Sequence, residues 1–228
     1  RWHSKRLRAR DDAPEGKIDE CYIDEMTPEK GDLILSRINA NIFCLAFSLL
    51  RKRTPVRIEG REFGLSLLKV IKDNCKSNRS IDEAKLAIAD YEEKERKRIS
   101  KRTFNENLLN ILGEKIACLE ALADGCKTVK EMINVIETLF SDDLKRKDIV
   151  LLSTVHRAKG LEANRVWILN PELMPHSMAK ADWEREQEMN VKFVAESRHI
   201  EELWYVHPRE EEAETIFRDL EEGREITA

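Results

Sequence analysis

The sequence lacks a membrane-length apolar run, a secretory leader, zinc-type cysteine spacing and a phosphate-binding glycine loop, and each absence removes a class of function. No apolar stretch approaches the ~20 residues that cross a bilayer, so no membrane partner is expected. The basic opening RWHSKRLRAR is followed by no apolar core, so it is not a signal peptide. Cys21, Cys44, Cys75, Cys118 and Cys126 form no C-x-x-C pair and have no histidine at zinc spacing. No metal site is expected from them, and scattered cysteines in odd number read as reduced, mostly buried thiols. The pattern G-x-x-x-x-G-K-[ST] follows none of Gly60, Gly64, Gly113, Gly125 or Gly160. The backbone cradle and lysine that hold β- and γ-phosphates are therefore not part of this sequence. Nor does an apolar strand end in paired acids that would hold Mg2+; DDLKRKD at 142–148 precedes a strand instead. The net charge is -4, with no bulk basic field to announce nucleic acid. A groove needs only local positive charge, so DNA binding is not excluded. The ends differ: the first ten residues are basic and the stretch from Pro208 onward is acidic.

What is present is enough chain for a sizeable core. The 228 residues are 41% hydrophobic and 37% charged; the charged share exceeds the ~25% usual in globular domains and suggests long solvated helices. Short apolar runs mark strands at Glu20–Asp24, Asp32–Ser36, Val56–Glu59, Ile149–Thr154, Arg165–Leu169 and Leu203–His207. LILS, IVLLST and RVWIL are apolar at every position or nearly so, which suits a parallel sheet covered on both faces. Helical periodicity falls between them at Asn39–Lys52, Glu62–Asp73 and Asp182–Glu196. The alternation predicts an α/β layered fold. From Asn74 to Asp148 it stops, and three helix starts take over. Ser80-x-x-Glu83, Thr103-x-x-Glu106 and Thr128-x-x-Glu131 each fit a capping box, with hydroxyl and carboxylate satisfying amides reciprocally. The charged run YEEKERKRISKR reads as a solvated helix face with i,i+4 pairs. Arg51, Lys52 and Arg53 read as a basic helix C-terminus favoured by the helix dipole.

The densest chemistry is LLSTVHRAKGLEANRVWIL, residues 151–169. Two apolar strands flank a loop carrying Thr154, His156, Arg157, Lys159, Gly160 and Glu162, and loops at the carboxyl ends of parallel strands are where α/β sheets bind ligands. Gly160 lets the backbone turn there. The second concentration is EREQEMNVKFVAESRHIEELWYV, residues 184–206, with Arg198 between a helix and a strand. By itself Arg198 would read as a surface ion pair with Glu196, Glu201 or Glu202. The third is residues 31–73, where Arg37 and Asn39 follow a strand and Asn39 is a natural N-cap for the next helix.

Taken together these segments resemble the UvrD-like superfamily 1 DNA helicases. Residues 154–162 match T-[IVL]-H-x-[AS]-K-G-L-E of motif V, departing at Ala163, where the family often has an aromatic. Residues 184–206 resemble motif VI followed by a strand, with Glu188 at its acidic start, Phe193-Val194-Ala195 for Tyr-Val-Ala, Ser197 for Thr, and Arg198 as its arginine; His199 departs from the usual Ala, and Glu196 fills a position often apolar or small. Residues 31–73 resemble the strand, R-[TS]-N, helix, G-x-x-F stretch. The resemblance implies a second RecA-like domain, a parallel sheet flanked by helices without its own P-loop, made of residues 1–73 and 148–228. A helical subdomain at 74–147, shorter than is typical of the family, is inserted into it.

It further implies site roles. Arg198 is the catalytic arginine reaching a γ-phosphate across a domain cleft, work suited to an always-charged fork. Glu162 contacts the ribose, Lys159 and Gly160 shape the ATP-binding loop, and Arg37, Asn39, Thr154 and His156 face single-stranded DNA. The cofactor implied is ATP with Mg2+, held mainly by an N-terminal RecA-like domain expected upstream in a longer parent protein. The expected partners are that domain, single-stranded DNA and a duplex junction. The parent would be an ATP-dependent helicase of DNA repair or replication, nucleoid-associated in the cytoplasm of a bacterium or nuclear in a eukaryote. The isolated chain is expected to be inactive. Two other readings stand beside this one: a non-catalytic RecA-like scaffold, and an unrelated helical interaction module.

Overall fold

The computed structural model of the chain describes residues 15–75, 80–102, 106–141, 146–176, 179 and 181–209. The basic opening, the Thr103 cap and the acidic tail expected from sequence lie outside these residues. The elements run β1 (Lys17–Tyr22), β2 (Leu33–Ser36), α1 (Asn39–Arg51), β3 (Val56–Ile58), α2 (Arg61–Asn74), α3 (Ile81–Arg102), α4 (Glu106–Gly125), α5 (Val129–Leu139), β4 (Val150–Thr154), β5 (Ala163–Leu169), α6 (Asp182–Glu196) and β6 (His199–His207). The strands form one six-stranded sheet in the order β1-β6-β5-β2-β4-β3, every neighbouring pair parallel. This is the α/β architecture that the alternation of strand and helix signals predicts.

Strand pleating divides the core in two. Ile34, Leu152, Trp167 and Val206 point to one face, where they join Phe43, Phe47, Leu67 and Ile71 of α1 and α2. Leu33, Leu35, Leu151, Val166, Ile168 and Leu203 point to the other and pack with Ala195 of α6 and Val155 and Ala158 of the loop after β4. Burial on both faces is why β2, β4 and β5 read as continuous apolar runs. The edge strand β1 is mostly exposed and carries Lys17, Asp19 and Glu20, charges that blunt an open sheet edge. This mixed composition moves its bounds: the apolar signal at Glu20–Asp24 is displaced from the paired residues 17–22. β6 likewise begins at His199, four residues before its apolar run, because His199 pairs with Ala163 at the polar end of the sheet.

Between α2 and β4 only helices are present among the described residues. Ile88 of α3, Ile116, Leu119 and Leu122 of α4, and Met132 and Ile136 of α5 belong to the same buried cluster as α1 and α2, so one core runs continuously from the sheet into the helical stretch. The Ser80 box closes as expected, with the Glu83 amide donating to Ser80 Oγ at 3.3 Å and the Ser80 amide to Glu83 Oε2 at 3.2 Å. At α5 the Glu131 amide donates to Thr128 Oγ1 at 3.1 Å, but the Glu131 carboxylate accepts from the Lys127 amide at 2.8 Å instead of from Thr128. The charged run of α3 neutralises itself through Lys94–Asp90, Arg96–Glu92, Lys97–Glu93 and Arg98–Glu95 pairs one turn apart.

Candidate functional site

The loop of residues 155–162 starts at the carboxyl end of β4 and finishes at the amino end of β5, so it crosses the sheet from one end to the other. It leaves β4 in a tight turn: the Arg157 and Ala158 amides both donate to the Thr154 carbonyl at 3.0 Å, and the Val155 amide donates to Ser36 O at 3.0 Å. Val155 and Ala158 are buried against the α6 face and pin the crossing. Gly160 adopts φ +84° with open space where a Cβ would stand, so glycine is needed here for backbone conformation and not for close approach. The expectation of one ligand loop at the carboxyl ends of the strands is thereby corrected. Thr154, His156 and Arg157 lie at the carboxyl end of the sheet, Glu162 lies at the amino end, and exposed Lys159 and Gly160 lie between them.

At the amino end, Glu162 and Arg198 sit on adjoining loops. The Ala163 amide donates to the Arg198 carbonyl at 3.2 Å, and β5 and β6 pair from Ala163 and His199 onward. The half-buried Arg198 guanidinium donates to Val194 O at 3.0 Å, Leu161 O at 3.4 Å and Ser197 Oγ at 3.0 Å. All three acceptors are neutral. No carboxylate among the described residues lies within ion-pair distance of Arg198, so the expected alternative of a surface salt bridge is not formed. Glu196 instead accepts from the Tyr205 hydroxyl at 2.8 Å, and Glu202 accepts from Trp204 Nε1 at 2.9 Å. Burial, reinforced by Glu196, pushes the Tyr205 phenol up to about 12. Glu162 is exposed at the rim of a cavity of about 350 Å³ lined by Lys30, Asp32, Lys147, Asn164 and Arg165 among others. Arg165 is held by Asp32, whose Oδ2 accepts from Arg165 Nε and Trp167 Nε1, both at 2.9 Å. Of the two arginines near this end, one is neutralised and Arg198 is not.

At the carboxyl end, Arg37 donates through Nε to Glu188 Oε2 at 2.9 Å and through Nη2 to Glu188 Oε1 at 2.8 Å. The His176 amide also donates to Glu188 Oε2, at 3.1 Å. Burial raises the Glu188 carboxyl, but the Arg37 hydrogen bond and charge with the His176 amide outweigh it, leaving it below its ordinary value. Desolvation lowers His156 and His176, and the Arg37 charge lowers both further. Thr154 is only 7% exposed. Asn39 is not the N-cap expected from sequence: Ile38 holds that position without a side-chain cap, and Asn39 is the first helical residue. A carboxylate from α4 replaces the missing cap, Glu114 Oε2 accepting from the Asn39 amide at 3.0 Å and also from its side-chain amide. Arg157 Nη1 approaches Asn39 Oδ1 at 3.5 Å and packs over Gly60, whose φ of +112° and lack of a side chain make room for it. Arg37, Asn39, Thr154 and His156 are thus brought to one end of the sheet. Sequence reading missed the Arg37–Glu188 and Asn39–Glu114 contacts, which join residues 151 and 75 apart and leave no local signature.

The sequence model of the UvrD-like helicase C-terminal domain family matches residues 68–209, from within α2 to just past β6. The match includes Thr154, His156, Glu162, Glu188 and Arg198, whereas Arg37 and Asn39 precede it. A search of the curated proteins gives no match.

Proposed function

The chain belongs to the UvrD-like helicase C-terminal domain family, and from that premise we propose that it is the second motor domain of an ATP-dependent DNA helicase or translocase, completing an ATP site whose phosphate cradle lies on another domain. The observation that carries this is the state of Arg198: a guanidinium without a counter-ion, resting on carbonyls and a hydroxyl beside an exposed carboxylate. Neutral acceptors hold such a group loosely, and a phosphate oxygen offers a stronger, charge-assisted contact. Glu162 stands where a ribose hydroxyl could donate to it, and Lys159 and Gly160 shape the loop leading to it.

At the opposite end of the sheet, Arg37, Asn39, Thr154 and His156 would face a single-stranded DNA backbone. Contacts of that kind carry no sequence information, which suits a motor. Closure of the two domains on ATP and reopening after hydrolysis would shift this end relative to its partner domain, a hinge-type motion. Among the described residues no group of three or more His, Cys, Asp or Glu stands together as a metal site of its own. The ion is assigned to the domain that carries the phosphate loop. The scaffold reading is disfavoured because a non-catalytic relic has no use for an uncompensated Arg198 beside Glu162.

The test is ATP hydrolysis by the two-domain motor. Arg198→Ala should lower turnover by about 10³-fold or more, the scale of arginine fingers elsewhere, while this chain alone should hydrolyse ATP negligibly. Full turnover by the variant would remove the assignment, and robust hydrolysis by the isolated chain would contradict the division of the site between domains.

A further inference from the structure

Among the described residues Asp32 and Glu188 are the acidic residues buried as whole residues, and a buried charge is costly unless it is paired and hydrogen-bonded. Asp32 neutralises Arg165 at the amino end. Glu188, 8% exposed, does so for Arg37 at the carboxyl end, but from an element that also reaches the other end. It lies in the middle of α6, whose last residue is Glu196, and Arg198 follows two residues later. The Arg198 Nε donates back to Val194 in the final turn of the same helix. At 1.5 Å per residue, about 12 Å of continuous helix separates Glu188 from Glu196. Ala195 is fully buried on the sheet, so this part of α6 is packed as well as hydrogen-bonded.

We infer that Glu188 is a positioning residue: its carboxylate fixes the Arg37 guanidinium by the Nε–Nη2 edge and so ties the carboxyl end of the sheet to the helix that leads into Arg198. This rests on the reading of that end as facing DNA. Three donors converge on the carboxylate, two from Arg37 and one from the His176 amide. Displacing it would strand a buried charge, which is costly, so Glu188 is a fixed holder and not a lid that a phosphate replaces. The grip leaves Arg37 Nη1 without a hydrogen bond to any described residue, and the side chain is still 22% exposed. Arg37 can thus take a phosphate oxygen on its open edge while its other edge stays bonded to α6. Movement of Arg37 upon binding is then carried to α6 through a two-point contact, and α6 carries it to Arg198. Rigid packed elements are the physical means by which distant sites couple.

The experiment uses the whole 228-residue chain, labelled on arginine, with the side-chain Nε–H signals followed by NMR during titration with an oligothymidylate. In the wild type the Arg37 and Arg198 signals should both shift. In Glu188→Gln, which preserves volume but not the charged two-point grip, Arg37 should still respond and the Arg198 response should be lost. Arg37→Lys keeps a cation for the phosphate but cannot fork. It should bind the oligonucleotide and likewise leave Arg198 unresponsive, and it carries the test if the Gln variant proves unstable. A full Arg198 response in either folded variant would overturn the inference, as would an Arg198 signal that stays still in the wild type while Arg37 moves. An Arg37 signal indifferent to the oligonucleotide would overturn the DNA-facing reading of this end and the inference with it. A purely architectural Glu188 would alter unfolding without selectively uncoupling Arg198.

Discussion

Replacing Glu188 by alanine should be among the more destructive single changes available in this chain. The substitution removes one carboxylate and leaves three donors without their acceptor: Nε and Nη2 of Arg37 and the His176 amide. The Arg37 and Glu188 side chains are 22% and 11% exposed. Breaking a buried pair from one side costs about 3–5 kcal/mol. The fraction of Arg37 still in water recovers part of its hydration, which places the expected loss near the lower limit, about 3 kcal/mol. Against a total stability of about 5–15 kcal/mol this is a large fraction. With a urea slope of about 2–3 kcal/mol per molar, the midpoint should fall by about 1 M. The assay is urea unfolding of the chain and its variant near pH 7.5, followed by tryptophan fluorescence. Arg37→Ala should be destabilising too. The double variant should cost clearly less than the sum of the two, because the second deletion removes a charge that the first had already orphaned. A Glu188→Ala midpoint within about 0.2 M of wild type, or strict additivity in the cycle, would refute the claim that this pair acts as a buried unit.

Arg198→Ala, by contrast, should cost clearly less than Glu188→Ala, about 1.5 kcal/mol, because three hydrogen bonds from a half-buried group to neutral acceptors, each at the low end of the usual range, are what is lost; a larger drop in melting temperature than Glu188→Ala gives would show that Arg198 is structural. Gly64→Ala should destabilise by about 1 kcal/mol despite the helix propensity gained, because the new Cβ would stand 2.5 Å from Phe140 Cγ and 2.6 Å from Cδ2. A raised melting temperature would mean that Phe140, packed beside Phe63 with ring centroids 6.4 Å apart, swings clear. Acidification should also weaken the fold. Half-buried His176 and, more weakly, exposed His156 lie below their ordinary 6.5 because desolvation, and then Arg37, disfavours their charged forms. The unfolded chain therefore binds more protons in that window, so their contribution is complete above about pH 7 and declines as pH falls through 6.5. Glu188, also lowered, adds a loss of the same sign nearer its ordinary 4.5. Urea midpoints that hold level or rise from about pH 7.5 to about 5.5 would contradict this.

Elements buried on both faces or carrying one amphipathic stripe were legible in the sequence almost to the residue. β2 and β4 begin one residue inside their apolar runs, α1 begins at Asn39 and ends one residue short of Lys52, and α6 spans Asp182–Glu196 as its periodicity implies. The apolar signal slips where strands are half exposed, as in β1 and the start of β6, because pairing there is held by backbone hydrogen bonds and not by burial. The motif residues were legible as chemistry but not as geometry. Spacing alone could not say that eight residues after Thr154 cross the whole sheet and part Glu162 from His156. Asn39 reads as a cap because Asn is a good one; Glu114, 75 residues away, supplies the cap instead. The same holds for Glu188, whose place at the start of a motif gave no hint that its carboxylate would be spent on Arg37. Long-range pairs of this kind are fixed by topology, and only the fold reveals them.

The most direct measurement is a structure of the two-domain motor trapped with ADP and aluminium fluoride. In that structure the Arg198 guanidinium should leave Val194 O and Leu161 O and donate to the fluoride, within about 3 Å, while Glu162 accepts from a ribose hydroxyl. An Arg198 still seated on its carbonyls, with the nucleotide closed in the cleft and the fluoride out of reach, would contradict the proposed role of Arg198.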